Sequence, residues 1–220
     1  MDYHEKRQQQ ARKNFMVAGG LFLSFAMLTA AVLTLDIQPI GPNQSRVGLA
    51  TINELVASVI GVNMAWYHIT NWLGTVAIIV ALGFSALGVT QLVQRKSIAK
   101  VDRDIIALGV FYIIIVAIYI LFELFIVNYR PVIIETGLEA SYPSSHTMIV
   151  LCILTTAVMQ FRTRIRSKRV QNWVIGFTAV IMAATIIGRV ISGVHWATDI
   201  AGGILLGSSL VAAYQATLQQ

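Results

Sequence analysis

The amino-acid sequence predicts an all-α membrane protein: a six-helix transmembrane bundle with a short interfacial helix in the first outer loop. Hydrophobic residues make up 56% of the 220 residues and charged residues only 12%, whereas roughly 25% of the residues of a soluble domain are charged. Long apolar runs recur along the chain, and most basic residues lie between them. The runs lack the alternating pattern of a membrane β-barrel. Helices are therefore expected, because they satisfy their own backbone groups in lipid.

Six apolar segments reach or approach the length of about 20 residues with which a helix crosses a bilayer. They are residues 15–36, 69–93, 104–127, 146–161, 171–190 and 199–217. The first exceeds the core of a signal peptide, which has about 7–15 residues, so a retained span is expected. The fourth is the shortest and could begin inside the preceding loop. We expect one integral membrane domain over residues 1–220.

The first connection between spans, residues 37–68, is long enough to contain a further helix. From Thr51 to Trp66 it mixes apolar residues with Asn53 and Glu54, and it ends at aromatic residues. This composition is typical of a helix that lies in the membrane interface.

The distribution of Lys and Arg predicts the orientation of the chain. If six helices alternate in direction, most basic residues fall on one side: Lys6, Arg7, Arg12, Lys13, Arg95, Lys96, Lys100, Arg103, Arg162, Arg164, Arg166, Lys168 and Arg169. The positive-inside rule then places both termini in the cytoplasm of a cell-membrane protein. The net charge of +6 thus indicates topology, and nucleic acid binding is not expected.

The remaining ionisable residues near the spans fall at the outer ends of helices three to six. They are Glu123, Arg130, His146, Arg189, His195 and Asp199. Such residues are costly in a membrane, so each is a functional candidate. Arginines bind phosphate, and histidine acts as a nucleophile or a proton donor near neutral pH. Together these residues predict an anion-processing site that faces outside.

The sequence indicates neither a metal nor a cofactor. The single cysteine, Cys152, lies in an apolar run, which leaves no disulfide framework and no thiolate metal site. No spacing of histidines and carboxylates suggests metal ligands.

Three short motifs contain most of the ionisable residues at the outer ends. The first is Arg130-Pro131, the second is Pro143-Ser144-Ser145-His146, and the third is Gly188-Arg189 followed by His195 and Asp199. In order and spacing they resemble the motifs of the type 2 phosphatidic acid phosphatase (lipid phosphate phosphatase) superfamily, Lys-x6-Arg-Pro, Pro-Ser-Gly-His and Ser-Arg-x5-His-x3-Asp. With six spans, the chain resembles the bacterial membrane branch over most of its length.

The resemblance implies a catalytic group of three residues. His195 would attack phosphorus and form a phosphohistidine, and His146 would protonate the leaving oxygen and then activate water. Asp199 lies four residues after His195, on the same face if the segment is helical. It would hold the imidazole in the attacking tautomer and stabilise its positive charge.

The resemblance also implies a set of phosphate-binding groups. Arg130 and Arg189 would clamp the phosphoryl oxygens, where charge is spread in the transition state. Ser144 and Ser145 would add donors, including backbone N–H groups at the start of the fourth span. The reaction implied requires no metal.

The sequence departs from the family motifs at three positions. Ser145 replaces a glycine, Gly188 replaces a serine, and Glu123 stands where the family has lysine, seven residues before Arg130. A carboxylate facing a phosphate would be repelled by on the order of 1–4 kcal/mol at about 4 Å. We therefore expect Glu123 to point away from the phosphate, to pair with a cationic group of the site or substrate, or to be protonated. It is a candidate specificity residue.

The predicted function is hydrolysis of a lipid phosphate or pyrophosphate head group at the outer leaflet. Undecaprenyl pyrophosphate is one candidate substrate; phosphatidylglycerophosphate and phosphatidic acid are the alternatives. A catalytically silent relative that binds phospholipid is a further hypothesis, and a transporter is disfavoured because no span is visibly broken. The expected partners are the lipid substrate and membrane lipids, and the oligomeric state is left open.

Overall fold

A computed structural model describes residues 3–219, which form seven α-helices and no β-strand. The helices are α1 (Tyr3–Thr34), α2 (Ala50–Ile60), α3 (Met64–Arg95), α4 (Arg103–Leu124), α5 (Ser145–Arg164), α6 (Lys168–Ser192) and α7 (Ala197–Thr217). Within the described residues, six of them, all but α2, are long and apolar enough to cross a membrane. The predicted all-α bundle is confirmed, and the chain is a multi-pass membrane protein.

The six long helices alternate in direction, so their ends meet in two groups. At one end, called the basic end, Arg7 near the start of α1 donates to the carbonyl of Leu218 after α7 across 3.2 Å. Arg164 of α5 pairs there with Asp104 of α4 at 2.9 Å. At the other end, called the site end, the amide of Ser144 donates to the carbonyl of Asp199 across 2.9 Å. The chain termini that the structure describes therefore share the basic end.

Helices α5 and α7 form the centre of the bundle. About half of their membrane-length segments are buried, 50% and 56%, against 17% for α1 and for α3. Small residues allow this close approach: a Cβ at Gly203 of α7 would lie 2.8 Å from the carbonyl oxygen of Ser144. Small side chains bring helices together in membranes, where apolar burial between helices gives little driving force. The central pair gives the site a rigid base.

The short helix predicted in the first connection is α2, which is fixed to the start of α7. The buried Asn53 side chain donates to the carbonyl of Gly48 at 2.9 Å and to the hydroxyl of Thr198 at 3.0 Å. Ile52, Leu55 and Val59 on its other side are exposed. The helix thus presents apolar side chains to its surroundings at the site end, as an interfacial helix does.

Candidate active site

The alternation of the helices gathers the motif residues at the site end. Arg130 lies in the connection after α4, His146 in the first turn of α5, and Arg189 in the last turn of α6. His195 lies between α6 and α7, and Asp199 lies in the first turn of α7. Each residue thus comes from a helix end or a connection, and the fixed helices determine where it points.

The His195 side chain is the centre of the site and is 1% exposed. Its Nε2 lies 3.4 Å from Nη1 of Arg130, and its Nδ1 lies 3.0 Å from the hydroxyl oxygen of Ser141. Burial, and then the charges of Arg130 and Arg189, lower the pKa of His195 well below 6.5. The imidazole is therefore neutral near pH 7, and one of its two ring nitrogens carries no proton.

Asp199 makes no direct hydrogen bond with His195. Its Oδ2 lies 3.7 Å from Nδ1 of the imidazole, which exceeds hydrogen-bond distance. The hydroxyl of Ser141 lies between them and donates a hydrogen bond to the same carboxylate oxygen, which also accepts from the amide of Trp196 at 2.9 Å. Nothing in the sequence pattern singles out Ser141, which lies two residues before the first residue of the second motif.

Arg189 is completely buried and is held by α3. Its Nη2 donates to the side-chain oxygen of Asn71 at 2.5 Å, and its guanidinium carbon lies 5.4 Å from the ring centre of Tyr67. Nε and Nη1 have no hydrogen-bond partner among the described residues. A buried donor without a partner costs about 1–3 kcal/mol, and more for a charged group. Two donors are thus available to an anion such as a phosphoryl group.

The glycine before Arg189 is explained by the same close approach of α3. A Cβ at Gly188 would lie 2.5 Å from Cγ2 of Thr70 and 2.8 Å from Cε3 of Trp66. A serine side chain has no room there without movement of α3. The departure from the family motif at this position is therefore a packing requirement of this chain.

Arg130 is positioned by a folded-back connection between α4 and α5. Its amide donates to the carbonyl of Glu139 at 3.0 Å, and Tyr129 pairs with Ala140 in an isolated antiparallel bridge. The Glu139 carboxylate lies 2.9 Å from Nε of Arg130 and forms an ion pair with it that lacks hydrogen-bond geometry. Glu139 is a second site residue that sequence reasoning missed, since only the folded connection brings it to Arg130.

His146 faces the same group of charges. Its ring packs on α3, where a Cβ at Gly74 would lie 2.9 Å from Cδ2. Its Nδ1 is buried without a hydrogen-bond partner among residues 3–219. His146 interacts electrostatically with Arg189, His195 and Arg130. The two predicted histidines and the two predicted arginines therefore converge.

The two serines of the second motif differ in exposure. Ser144 precedes the first turn of α5, is fully buried, and accepts a hydrogen bond at 3.0 Å from the hydroxyl of Thr147. Its side chain does not bond to the backbone of the helix start. Ser145 is partly exposed and lines a small cavity beside the site.

Glu123 lies at the edge of this cavity. It is exposed in the last turn of α4 and lines the cavity together with Tyr119, Ser141 and Ser145. In the described part of the chain, it makes no ion pair within 4 Å. The same part also contains no group of three or more His, Cys, Asp or Glu residues placed to hold a metal.

The part of the chain that contains the three motifs matches a known protein family. Residues 125–220 match the sequence profile of the PAP2 superfamily. The resemblance recognised from the motifs is thereby confirmed, and the PAP2 region begins just after Glu123.

One solved structure is similar to most of the chain. It is described as the crystal structure of the first transmembrane PAP2 type phosphatidylglycerolphosphate phosphatase from Bacillus subtilis. The TM-score is 0.60 over 88% of this chain and 92% of that chain, at 21% sequence identity. This likeness shows that the two chains share a fold. No curated protein sequence matches the chain.

Proposed function

We propose that this protein is a membrane lipid phosphatase that hydrolyses a phosphomonoester or pyrophosphate head group through a phosphohistidine on His195. The observation that carries the proposal is the placement of Nε2 of a neutral, buried imidazole beside Arg130. Arg189, with two buried donors free among the described residues, supports it. The match of residues 125–220 to the PAP2 superfamily supports the same chemistry.

In the first step, Nε2 of His195 attacks phosphorus while the bond from phosphorus to the leaving oxygen breaks. His146 gives its proton to that oxygen, so the lipid leaves as an alcohol or as a lipid monophosphate. In the second step, His146 takes a proton from water, and the hydroxide attacks the phosphohistidine. Inorganic phosphate leaves, and His195 is neutral again.

The charges of the site suit this reaction. Arg130 and Arg189 stabilise the negative charge that spreads over the phosphoryl oxygens in the transition state. The carboxylate of Asp199, 3.7 Å from the imidazole, stabilises the positive charge that His195 gains on phosphorylation. Ser145 and backbone N–H groups at the start of α5 complete the binding of the phosphate, and the buried Ser144 supports that turn. Neither step needs a metal.

The substrate is a lipid phosphate that reaches the site from the membrane. The site end lies opposite the basic end, so the positive-inside rule places the site outside and both termini in the cytoplasm. Undecaprenyl pyrophosphate is our first candidate because it suits such a location. Phosphatidylglycerophosphate, the substrate named for the similar Bacillus subtilis protein, and phosphatidic acid are the alternatives.

The test is phosphate release by the purified protein from these three lipids, in detergent and in the presence of a chelator. Wild type is expected to hydrolyse at least one of them, and His195→Ala to lose activity by about 10³-fold or more. His68→Ala, which changes an exposed histidine on α3, is the matched control. With ³²P-labelled substrate, His146→Ala is expected to accumulate an acid-labile phosphoprotein, and His195→Ala to form none.

Two outcomes would overturn the proposal. Equal activity in wild type and His195→Ala would exclude His195 as the nucleophile. Binding of all three lipids without any phosphate release would instead make the protein a silent relative, in which the carboxylate of Glu123 stands beside the phosphate site.

A further inference from the structure

We infer that Ser141 is a positioning residue that sets the tautomer of His195 and connects the imidazole to Asp199. The inference deepens the proposed function and rests on the phosphohistidine chemistry. Ser141 belongs to none of the three motifs, and its side chain is buried between the two residues that it joins.

The hydrogen-bond inventory of the three groups fixes the direction of both contacts. Oδ2 of Asp199 accepts a hydrogen bond from the amide of Trp196 at 2.9 Å and so acts as an acceptor, and a serine hydroxyl has a single proton to donate. Ser141 donates that proton to Oδ2 of Asp199. The contact of 3.0 Å between the Ser141 oxygen and Nδ1 of His195 must then be donated by the imidazole. His195 therefore carries its proton on Nδ1.

The tautomer determines which nitrogen can react. With Nδ1 protonated, the lone pair is on Nε2, the nitrogen that lies 3.4 Å from Nη1 of Arg130. The reactive lone pair thus points to the arginine that would bind the phosphoryl group. In the other tautomer, Nε2 would carry the proton and could not attack.

The backbone holds Ser141 in register with Arg130. The amide of Ser141 donates to the carbonyl of Asn128 at 2.9 Å, and the amide of Arg130 donates to the carbonyl of Glu139 at 3.0 Å. These two bonds flank the bridge between Tyr129 and Ala140. One folded-back segment therefore places a guanidinium on one side of the imidazole and a hydroxyl on the other.

The role of Ser141 requires no proton transfer of its own. When the bond between Nε2 and phosphorus forms, the imidazole becomes positively charged and keeps its proton on Nδ1. The donated hydrogen bond to Ser141 then strengthens, and the hydroxyl in turn polarises toward the carboxylate. Asp199 acts through Ser141, since 3.7 Å to Nδ1 leaves no direct hydrogen bond.

The experiment compares Ser141→Ala with Ser141→Thr, which keeps the hydroxyl. Ser209→Ala is the control, because Ser209 is a buried serine on α7 that donates to the carbonyl of Ala18. ¹⁵N-histidine NMR in detergent at pH 7.5 reports the tautomer, and the His195 ring signals are those absent from His195→Gln. Wild type, Ser141→Thr and Ser209→Ala are expected to be protonated on Nδ1, and Ser141→Ala to lose this preference.

Kinetics provide the second readout. Ser141→Ala is expected to lower kcat by about 10–100-fold, the usual effect of removing a residue that orients a reactive ligand. KM should change less than about threefold, because the Ser141 hydroxyl is engaged by His195 and Asp199, and Ser141→Thr should restore most of kcat. If Ser141→Ala does not fold, Ser141→Cys takes its place: its thiol is a weak donor and acceptor of similar size.

The role of Ser141 and the phosphatase function can be disproved independently of each other. An active Ser141→Ala variant with unchanged tautomer and kcat would overturn the role of Ser141 alone. If wild type releases no phosphate and forms no phosphoprotein, while the tautomer still depends on Ser141, then the proposed function fails and the hydrogen-bond assignment stands.

Discussion

Arg189 on α6 donates from Nη2 to the side-chain oxygen of Asn71 on α3 across 2.5 Å. This contact uses one edge of a fully buried guanidinium and leaves Nε and Nη1 without a partner among the described residues. Because Asn71 holds one edge of the guanidinium, the other two nitrogens, Nε and Nη1, have a fixed direction. The ring centre of Tyr67 lies 5.4 Å from the guanidinium carbon, so the ring packs against the face of the group. The start of α3 therefore contributes to the candidate site.

The first prediction follows from this contact. Asn71→Ala is expected to lower kcat/KM for the best lipid substrate by about tenfold, since a charge-assisted hydrogen bond contributes about 1.5–3 kcal/mol and part of it is regained from water. Thr75→Ala, an exposed change one turn further along α3, is the control and should match wild type. Equal kcat/KM for Asn71→Ala and Thr75→Ala would show that Arg189 needs no support from α3.

The second prediction concerns the glycine before Arg189. Restoring the family residue with Gly188→Ser is expected to destabilise the protein by about 1–3 kcal/mol, the usual effect of overpacking, because the new Cβ would meet Thr70 and Trp66. Thermal unfolding in detergent measures the loss. Thr70→Ser removes the methyl group nearest to the new Cβ. The double variant Gly188→Ser/Thr70→Ser should therefore regain part of the lost stability.

Gly176→Ser is the matched control for this prediction. It makes the same change on the same helix at a position where an added Cβ meets nothing within 4 Å. If Gly188→Ser unfolds at the same temperature as Gly176→Ser, α3 can shift to accommodate the new side chain at little cost. The absence of the family serine at position 188 would then need another explanation.

The sequence predicted the parts of the structure that depend on local pattern. Six apolar runs appear as helices because hydropathy and length decide what crosses a bilayer, and alternation then brings His146 and His195 to one end. Glu139 and Ser141 were missed because their roles depend on how residues 125–144 fold back on themselves. Asn71 was missed for a related reason: only the packing of α3 against α6 gives an ordinary asparagine its partner.

The third prediction concerns the acid sensitivity of the fold. Burial, Arg130 and Arg189 lower the pKa of His195 well below its ordinary value of 6.5. Below pH 6.5 the unfolded chain binds a proton that the folded chain does not. The contribution of neutral His195 to the free energy of unfolding is therefore fully present above pH 6.5. It is lost as the pH falls from 6.5 through the folded pKa, by up to about 1.4 kcal/mol per pH unit. His195→Gln should lose less stability than wild type between pH 7.5 and 5.5.

The measurement is the apparent Tm at each pH in one detergent. His68→Gln removes an exposed histidine instead, and its pH dependence should follow that of wild type. If the apparent Tm of His195→Gln depends on pH as that of wild type does, other groups facing the site, such as His146 and Asp199, cause the loss of stability at low pH.

The fourth prediction concerns Glu123, the position where the family has lysine. Its carboxylate is exposed at the edge of the cavity that Ser141 and Ser145 also line. Exposure screens its charge, so Glu123→Lys is expected to lower KM for lipid phosphates by no more than about fivefold, or 1 kcal/mol. The gain should be larger for a pyrophosphate than for a monophosphate, because the second phosphate adds negative charge near the cavity.

Glu135→Lys is the matched control for this change, because Glu135 is also exposed, in the connection between α4 and α5. It applies the same reversal of charge outside the lining of the cavity. A KM that falls equally in both variants would reflect general attraction of anionic lipid. Unchanged rates and unchanged preference across the lipid panel in Glu123→Lys would exclude a site role, because a carboxylate beside the head group must repel the phosphate or bind a neighbouring donor, and either interaction changes with the sign of the charge.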